Sequence, residues 1–248
     1  MPRISRTVLP RIRKSIEERG VLVTLARSVL LPAHLVREYR ASRKLRHERP
    51  VSEFDLAHGV DTEGDFQGWI YLSDLQIKSA NWIHGNNYAA IEPERFRALM
   101  AALPFRFEEL TFIDYGSGKG RALLLASEYP FHKIVGLEFS PELHETALAN
   151  LRHFKSRQQK CRAIEPCLTD FTEYELPPEP LFLFFFDPCD ATLFQRTLQR
   201  IAQSMKEAPR PIYLAYVGPR SFSLETRDGC LKALIKDNER QFAVYQVE

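Results

Sequence analysis

Residues 111–121 read Thr-Phe-Ile-Asp-Tyr-Gly-Ser-Gly-Lys-Gly-Arg and run without a break into a helix-forming stretch over 122–129. Thr111, Phe112, Ile113 and Tyr115 supply the β-branched and aromatic content of a buried strand. Glycines at every second position from Gly116 to Gly120 then let the backbone turn tightly, with no Cβ to hold a ligand at a distance. A strand, a glycine turn and a helix start place unpaired backbone N–H groups and the positive end of a helix dipole at one spot. Such a spot suits a carboxylate or phosphate. The unit predicts an α/β chain whose ligand lies at the carboxyl ends of parallel strands.

Spacing counts against two readings of the loop. A phosphate-cradling P-loop needs a glycine where Ile113 stands and a Ser or Thr where Gly120 stands. A dinucleotide fingerprint needs Gly-x-Gly-x-x-Gly, whereas Gly116, Gly118 and Gly120 form Gly-x-Gly-x-Gly, with Asp114 two places ahead. Asp-x-Gly-x-Gly-x-Gly after a hydrophobic strand resembles motif I of the class I S-adenosylmethionine-dependent methyltransferases. The resemblance covers residues 92–248. It implies a Rossmann-like α/β fold with a seven-stranded sheet, and S-adenosyl-L-methionine as cofactor.

The resemblance also implies roles for residues along the chain. Asp114, Tyr115, Gly116, Ser117, Gly118 and Gly120 would hold the methionine end. Glu138, 18 residues beyond Gly120 at the end of a strand predicted over 133–139, would accept both ribose hydroxyls, and Phe139 would lie beside the adenine. Asp170 with Phe171, after a third strand over 163–168, would take the adenine amino group. A fourth strand over 181–186 is apolar at every position, as befits a strand buried on both faces. It ends in Asp187-Pro188-Cys189-Asp190.

In the resembled amino methyltransferases this position carries Asn/Asp-Pro-Pro-aromatic. The chain keeps Asp187 and Pro188 but has Cys189 and Asp190 instead of the second proline and the ring. Transfer from sulfur to nitrogen is an in-line displacement, so the site must aim a nitrogen lone pair at the methyl. A carboxylate, Asp187, and a strand-end carbonyl, that of Pro188, can do so by holding the N–H groups. Losing the aromatic removes the stacking partner of a flat base, and two carboxylates suit an amine or guanidinium. Asp190 can equally be the N-cap of a helix over 191–206. The loop Asp-Tyr-Gly-Ser-Gly-Lys-Gly is also similar to that of protein-lysine methyltransferases, which have a tyrosine some 25 residues upstream, where this chain has Tyr88. These readings favour a protein lysine or small amine as acceptor, with Asp187 and Tyr88 as catalytic residues, and they disfavour nucleic acid. His84 lies close by in sequence as a further candidate. The alternative from another class is a non-catalytic S-adenosylmethionine-binding scaffold.

Charge divides the chain. Residues 1–50 hold 13 Lys+Arg against 4 Asp+Glu, a net of +9, leaving 21 against 28, a net of −7, in residues 51–248. Three parts follow: a basic helical arm over 1–50, a connecting and lid segment over 51–91, and a methyltransferase domain over 92–248. Leu22, Leu25, Ala26, Val29 and Leu30 share one helical face and are followed by Arg37, Arg40, Arg43, Lys44 and Arg46. This basic amphipathic pattern over 21–46 allows peripheral membrane contact. It is too short and too interrupted to span a bilayer, and residues 1–20 lack the apolar core of a secretory signal. The four cysteines have neither Cys-x-x-Cys pairing nor zinc spacing, so they read as reduced thiols of a cytoplasmic protein with no metal site.

Overall fold

The computed structural model of the protein describes residues 52–64, 68–219 and 230–248, with the isolated positions 13, 16, 17 and 21. The basic amphipathic stretch, and the membrane contact expected of it, lies outside the described residues apart from Val21. Among the described residues no helix is long and apolar enough to cross a membrane.

In chain order the described elements begin with helix α1 (Glu53–His58), then β1 (Trp69–Ile70) and β2 (Tyr88–Ala89), which pair antiparallel. Helix α2 (Pro93–Ala101) leads into β3 (Thr111–Tyr115), α3 (Arg121–Ala126), β4 (Lys133–Glu138), α4 (Pro141–His153), β5 (Ile164–Leu168), β6 (Leu181–Phe186), α5 (Ala191–Glu207) and β7 (Ile212–Val217). A hairpin of β8 (Leu231–Asp237) and β9 (Phe242–Val247) closes the chain. The large sheet has seven strands in the order β5-β4-β3-β6-β7-β9-β8. The first five strands in that order are mutually parallel, and β9 inserts antiparallel between β7 and β8.

Period-two alternation in the central strands builds two cores. Phe112, Phe182 and Phe184 face α2 and α3, where they pack on Phe96, Leu99 and Leu124. Ile113, Tyr115, Leu183 and Phe185 face α5 and its Leu193, Phe194, Leu198 and Ile201. Each fully buried phenylalanine of β6 contributes roughly 2–3 kcal/mol of burial, so Phe184→Ala would cost about 3–5 kcal/mol. Strand β8 forms the edge, and its exposed lysines, Lys232 among them, guard it against further pairing. Helix α2 ends at Ala101, shortly before Leu103 and Pro104, since a residue before proline is disfavoured in the α region.

Candidate active site

The carboxyl ends of β3, β4, β5 and β6 meet in a cleft. From the strand ends it is lined by Gly116, Glu138, Phe139, Asp170, Phe171, Asp187 and Pro188, and from the segment preceding α2 by Asn81, Gly85, Asn86, Asn87 and Tyr88. Residues 100 positions apart in sequence therefore share one wall. The cleft is narrow, about 60 Å³, because Asn86, Asn87 and Tyr88 lie across it.

The glycine loop turns as its spacing requires. Gly116, Gly118 and Gly120 have φ of +85°, +53° and +86°, a region L side chains rarely adopt. A Cβ at Gly118 would stand 2.1 Å from Cε2 of Tyr88, and one at Gly116 would stand 3.0 Å from Cβ of Pro188. The backbone N–H groups of Gly116 and Ser117 both donate to the Leu137 carbonyl at 2.9 Å, which ties the loop to β4. The Ser117 side chain faces Gly136 beneath the loop, where a Cβ would come within 2.9 Å of its Oγ. Asp114 is buried at the end of β3, and burial first, then the nearby Glu138 charge, pushes its carboxyl well above the ordinary range. Tyr115 points the other way, into the α5 side of the core, so its side chain does not line the cleft.

Glu138 is the best-defined polar group of the cleft. Its Oε2 accepts the Gly118 N–H at 2.8 Å and its Oε1 accepts the Ser140 N–H at 2.7 Å. Burial pushes its carboxyl up to about 7, against the opposing pull of the Ser140, Gly118 and Phe139 backbone N–H groups.

Asp170 lines the cleft with different partners from those expected. Its Oδ1 accepts the Thr172 N–H at 2.9 Å and the Thr172 hydroxyl at 2.7 Å, while Oδ2 accepts Asn81 Nδ2 at 2.9 Å and the Ser79 hydroxyl. Burial would raise its carboxyl, but the bonds from Ser79, Thr172 and Asn81 outweigh it and hold the group below the ordinary range. An ionised carboxylate has about four acceptor positions. All are filled from within the chain here, so Asp170 braces the Ser79–Asn81 turn against β5, and an adenine amino group would have to take the place of Ser79 or Asn81.

Asp187 has φ of +42°, one of two non-glycine residues with positive φ among the described residues. Such a conformation costs on the order of 1–3 kcal/mol and is best tolerated by Asn and Asp. Three contacts impose it. Tyr216 Oη donates to Asp187 Oδ1 at 2.5 Å, Asn86 Nδ2 donates to the Asp187 carbonyl at 2.7 Å, and the Asn86 N–H donates to the Pro188 carbonyl at 2.9 Å. Gly218 leaves the room, since a Cβ there would lie 2.8 Å from that of Asp187. The Pro188 carbonyl, expected to face an acceptor, gives one of its two acceptor positions to the Asn86 N–H.

Two further expectations change. Asp190 is the N-cap of α5, accepting the Leu193 N–H at 3.0 Å, and it also pairs with His84 Nδ1 at 2.7 Å. It is therefore committed to the helix and to His84, which itself lies outside the cleft lining. Tyr88 lines the cleft, but its hydroxyl donates to the Thr62 carbonyl at 2.5 Å, and burial pushes its phenol well above the ordinary range. The catalytic role expected of Tyr88 is corrected accordingly: its ring covers Gly118 and its hydroxyl anchors the preceding segment.

That segment is what sequence reasoning missed. Arg121, buried at the start of α3, donates through Nε to Thr62 Oγ1 at 2.6 Å and through one terminal nitrogen to Glu63 Oε2 at 2.7 Å and Asp55 Oδ1 at 3.2 Å. Lys119 Nζ reaches Asp61 Oδ1 at 3.1 Å and the Glu63 carbonyl at 2.8 Å. Asn150 of α4 joins both sides, donating to the Asp61 and Lys119 carbonyls at 2.8 and 2.9 Å. Residues 52–63 thus form a clamp on the glycine loop. The visible signal is a pair of cations inside a glycine turn, with the carboxylates Asp55, Asp61 and Glu63 upstream.

A seven-stranded sheet in this order, parallel except for an inserted last strand and with a glycine loop after its central strand, fits a class I Rossmann-like methyltransferase. No protein-family model and no curated protein matches the chain. Among solved structures it is similar to a predicted N6-adenine-specific DNA methylase from Listeria monocytogenes, at 14% identity over 64% of this chain and 51% of that one, with a TM-score of 0.48. The chain thus spans about half the length of that protein. It is also similar to the 23S rRNA methyltransferase ErmE, at 14% identity over 64% of this chain and 69% of that one, with a TM-score of 0.47. A third is an RNA methyltransferase from Salinibacter ruber in complex with S-adenosyl-L-homocysteine, at 16% identity over 64% and 92%, with a TM-score of 0.39. The fold does not restrict the acceptor, so the expectation against nucleic acid is withdrawn.

Proposed function

We propose that the protein is an S-adenosylmethionine-dependent methyltransferase that methylates a nitrogen of an amine, such as a protein lysine or a small amine, presented to Asp187. The observation that carries this reading is the convergence of Gly116, Glu138, Phe139 and Asp187 on one cleft at the strand ends. The donor and acceptor set fits the cofactor. The two oxygens of Glu138 accept the Gly118 and Ser140 N–H groups, and the carboxylate keeps acceptor capacity toward the cleft for ribose hydroxyls. Gly116 keeps the backbone open beside Pro188, and Phe139 offers an apolar wall. S-adenosylmethionine, when bound, supplies an electrophilic methyl on a sulfonium.

The chain's own residues do the rest. Entry requires the segment 79–88 to lift, since a cleft of about 60 Å³ is well below the roughly 300–1,000 Å³ of small-molecule sites. Asp187, fixed by Tyr216, presents a carboxylate that attracts an amine and orients its N–H groups, so that the nitrogen lone pair can face the reacting carbon.

The test is label transfer from methyl-labelled S-adenosylmethionine into fractionated cell extract. Protein or small amines should take the label. Asp187→Ala should keep affinity for S-adenosylhomocysteine and lose turnover by roughly 10²-fold or more, as for a misplaced reactant. Asp187→Asn should be nearly as poor with a cationic acceptor. Full activity in Asp187→Ala would overturn the assignment, and label in nucleic acid alone would overturn the amine acceptor.

A further inference from the structure

On the face of the sheet opposite α2 and α3, helix α5 and the loop over 171–176 enclose a second cavity of about 400 Å³, within the usual range for small-ligand sites. Its floor is Tyr115, which is only 2% exposed, stacks on Phe185 at 4.3 Å and meets Phe171 at 5.5 Å. The Tyr115 hydroxyl has no hydrogen-bond partner among the described residues, although its ring lines the cavity. A buried phenol ordinarily finds a partner. The stacking on Phe185 accounts for the ring but not for the polar end.

The surroundings define what would satisfy it. Phe171, Tyr174, Leu176 and Ile201 give apolar and aromatic walls, and Arg200 on α5 supplies a cation with no ion pair among the described residues. Arg210 adds to the positive field at the Tyr115 hydroxyl, but its guanidinium is committed to the Ser204, Ala208 and Glu179 carbonyls and to Ser204 Oγ. Glu175 and Glu207 are exposed at the mouth, with Glu207 accepting from Gln203 at 2.8 Å. Arg200 and Arg210 act on the Tyr115 hydroxyl while Glu175 and Glu207 stand exposed, so an anionic group is favoured between Tyr115 and Arg200 and disfavoured beside the two glutamates.

We propose that this cavity is a binding site for a small planar carboxylate, its ring against Phe171 and Tyr174 and its oxygens on Tyr115 Oη and Arg200. The site is independent of the proposed transfer reaction.

The probe is 2-naphthoate, titrated against the full chain by calorimetry and saturation-transfer NMR, with 2-naphthylmethylamine as the cation of similar shape. Naphthoate should bind with a dissociation constant of about 1 mM or tighter, the level expected of a ligand of this size. Tyr115→Phe should weaken it roughly fivefold and Arg200→Gln about tenfold, the losses typical of a neutral and a charge-assisted hydrogen bond. Arg196→Gln, one turn earlier on α5 and outside the cavity, should leave binding unchanged, and the amine should not compete. Equal affinity in wild type, Tyr115→Phe and Arg200→Gln, or no binding at several millimolar, would overturn the proposal. Arg200 is exposed, so its variant keeps the test valid even if Tyr115→Phe folds poorly.

Discussion

Glu138 should make cofactor affinity depend on pH near neutrality. Burial pushes the group up to about 7, and its ionised form is the one that can accept ribose hydroxyls in addition to its backbone N–H groups. Around a value of 7, about 9% is ionised at pH 6 and about 91% at pH 8. Apparent affinity scales with the competent fraction, so the dissociation constant for S-adenosylhomocysteine should tighten about tenfold between those pH values. Calorimetry from pH 5.5 to 8.5 at fixed ionic strength measures it directly. Glu138→Gln should bind about tenfold more weakly than wild type at pH 8 and show no slope. A slope of equal size in Glu138→Gln would refute the reasoning. The stability linkage has a definite sign. The folded value lies above the ordinary 4.5, so this group's contribution to the free protein is fully present below about pH 4.5 and lost as pH rises through 7. Ligand offsets that loss, and the rise in melting temperature with S-adenosylhomocysteine should therefore be larger at pH 8 than at pH 6.

Tyr88→Phe removes the bond to the Thr62 carbonyl and should cost about 1 kcal/mol of stability, while turnover stays within about threefold because the hydroxyl faces the clamp; a hundredfold fall in turnover at unchanged stability would return Tyr88 to the catalytic machinery. Gly118→Ala combines a left-handed backbone with a Cβ driven against the Tyr88 ring, so it should lose on the order of 1–3 kcal/mol in a denaturant titration and bind no S-adenosylhomocysteine; wild-type binding would show that the loop is not held as described. Asp55→Asn leaves Arg121 short of a buried partner and should cost about 3–5 kcal/mol; a denaturant midpoint equal to wild type would mean that the clamp does not stabilise the fold.

The sheet was legible because its signals are local. A continuous apolar run marks β6, and β-branched and aromatic residues running into a glycine turn mark β3. Glu138 was legible for a related reason, since a strand ending in an acid just before Ser140-Pro141 fixes its place at the sheet's carboxyl edge. Partners were not legible. Asp170 looks the same in sequence whether it faces a ligand or accepts from Ser79, and only tertiary contact across 91 residues decides. The clamp was hidden likewise, because Arg121 meets Ser52, Asp55, Thr62 and Glu63 over separations of 58 to 69 residues. Tyr115 misled through alternation: a residue beside Asp114 in a strand necessarily points to the other face.

The arrangement around Asn86 ties two requirements of the proposed reaction together. Its backbone N–H and side-chain amide each take one of the two acceptor positions of the Pro188 and Asp187 carbonyls. The same residue lines the cleft beside Tyr88, so the proposed reaction requires it to shift when a cofactor enters. Under that proposal one displacement widens the cofactor site and releases both strand-end carbonyls from Asn86. The contacts that oppose it are polar and apolar together: Asp170 on Ser79 and Asn81, Asp190 on the His84 ring and carbonyl, Arg196 on Asn81, Tyr88 on the Thr62 carbonyl, Asn86 on the Asp187 and Pro188 carbonyls, and Trp82 buried with Leu72 and Leu143. At about 0.5–1.5 kcal/mol net for each hydrogen bond, besides the burial of Trp82, displacing the segment would use a large part of the roughly 8 kcal/mol that binds a micromolar ligand. The strained Asp187, by contrast, is held from β7 by Tyr216 and given room by Gly218, neither of which belongs to the lid. Opening therefore leaves the acceptor carboxylate in place while exposing the backbone around it.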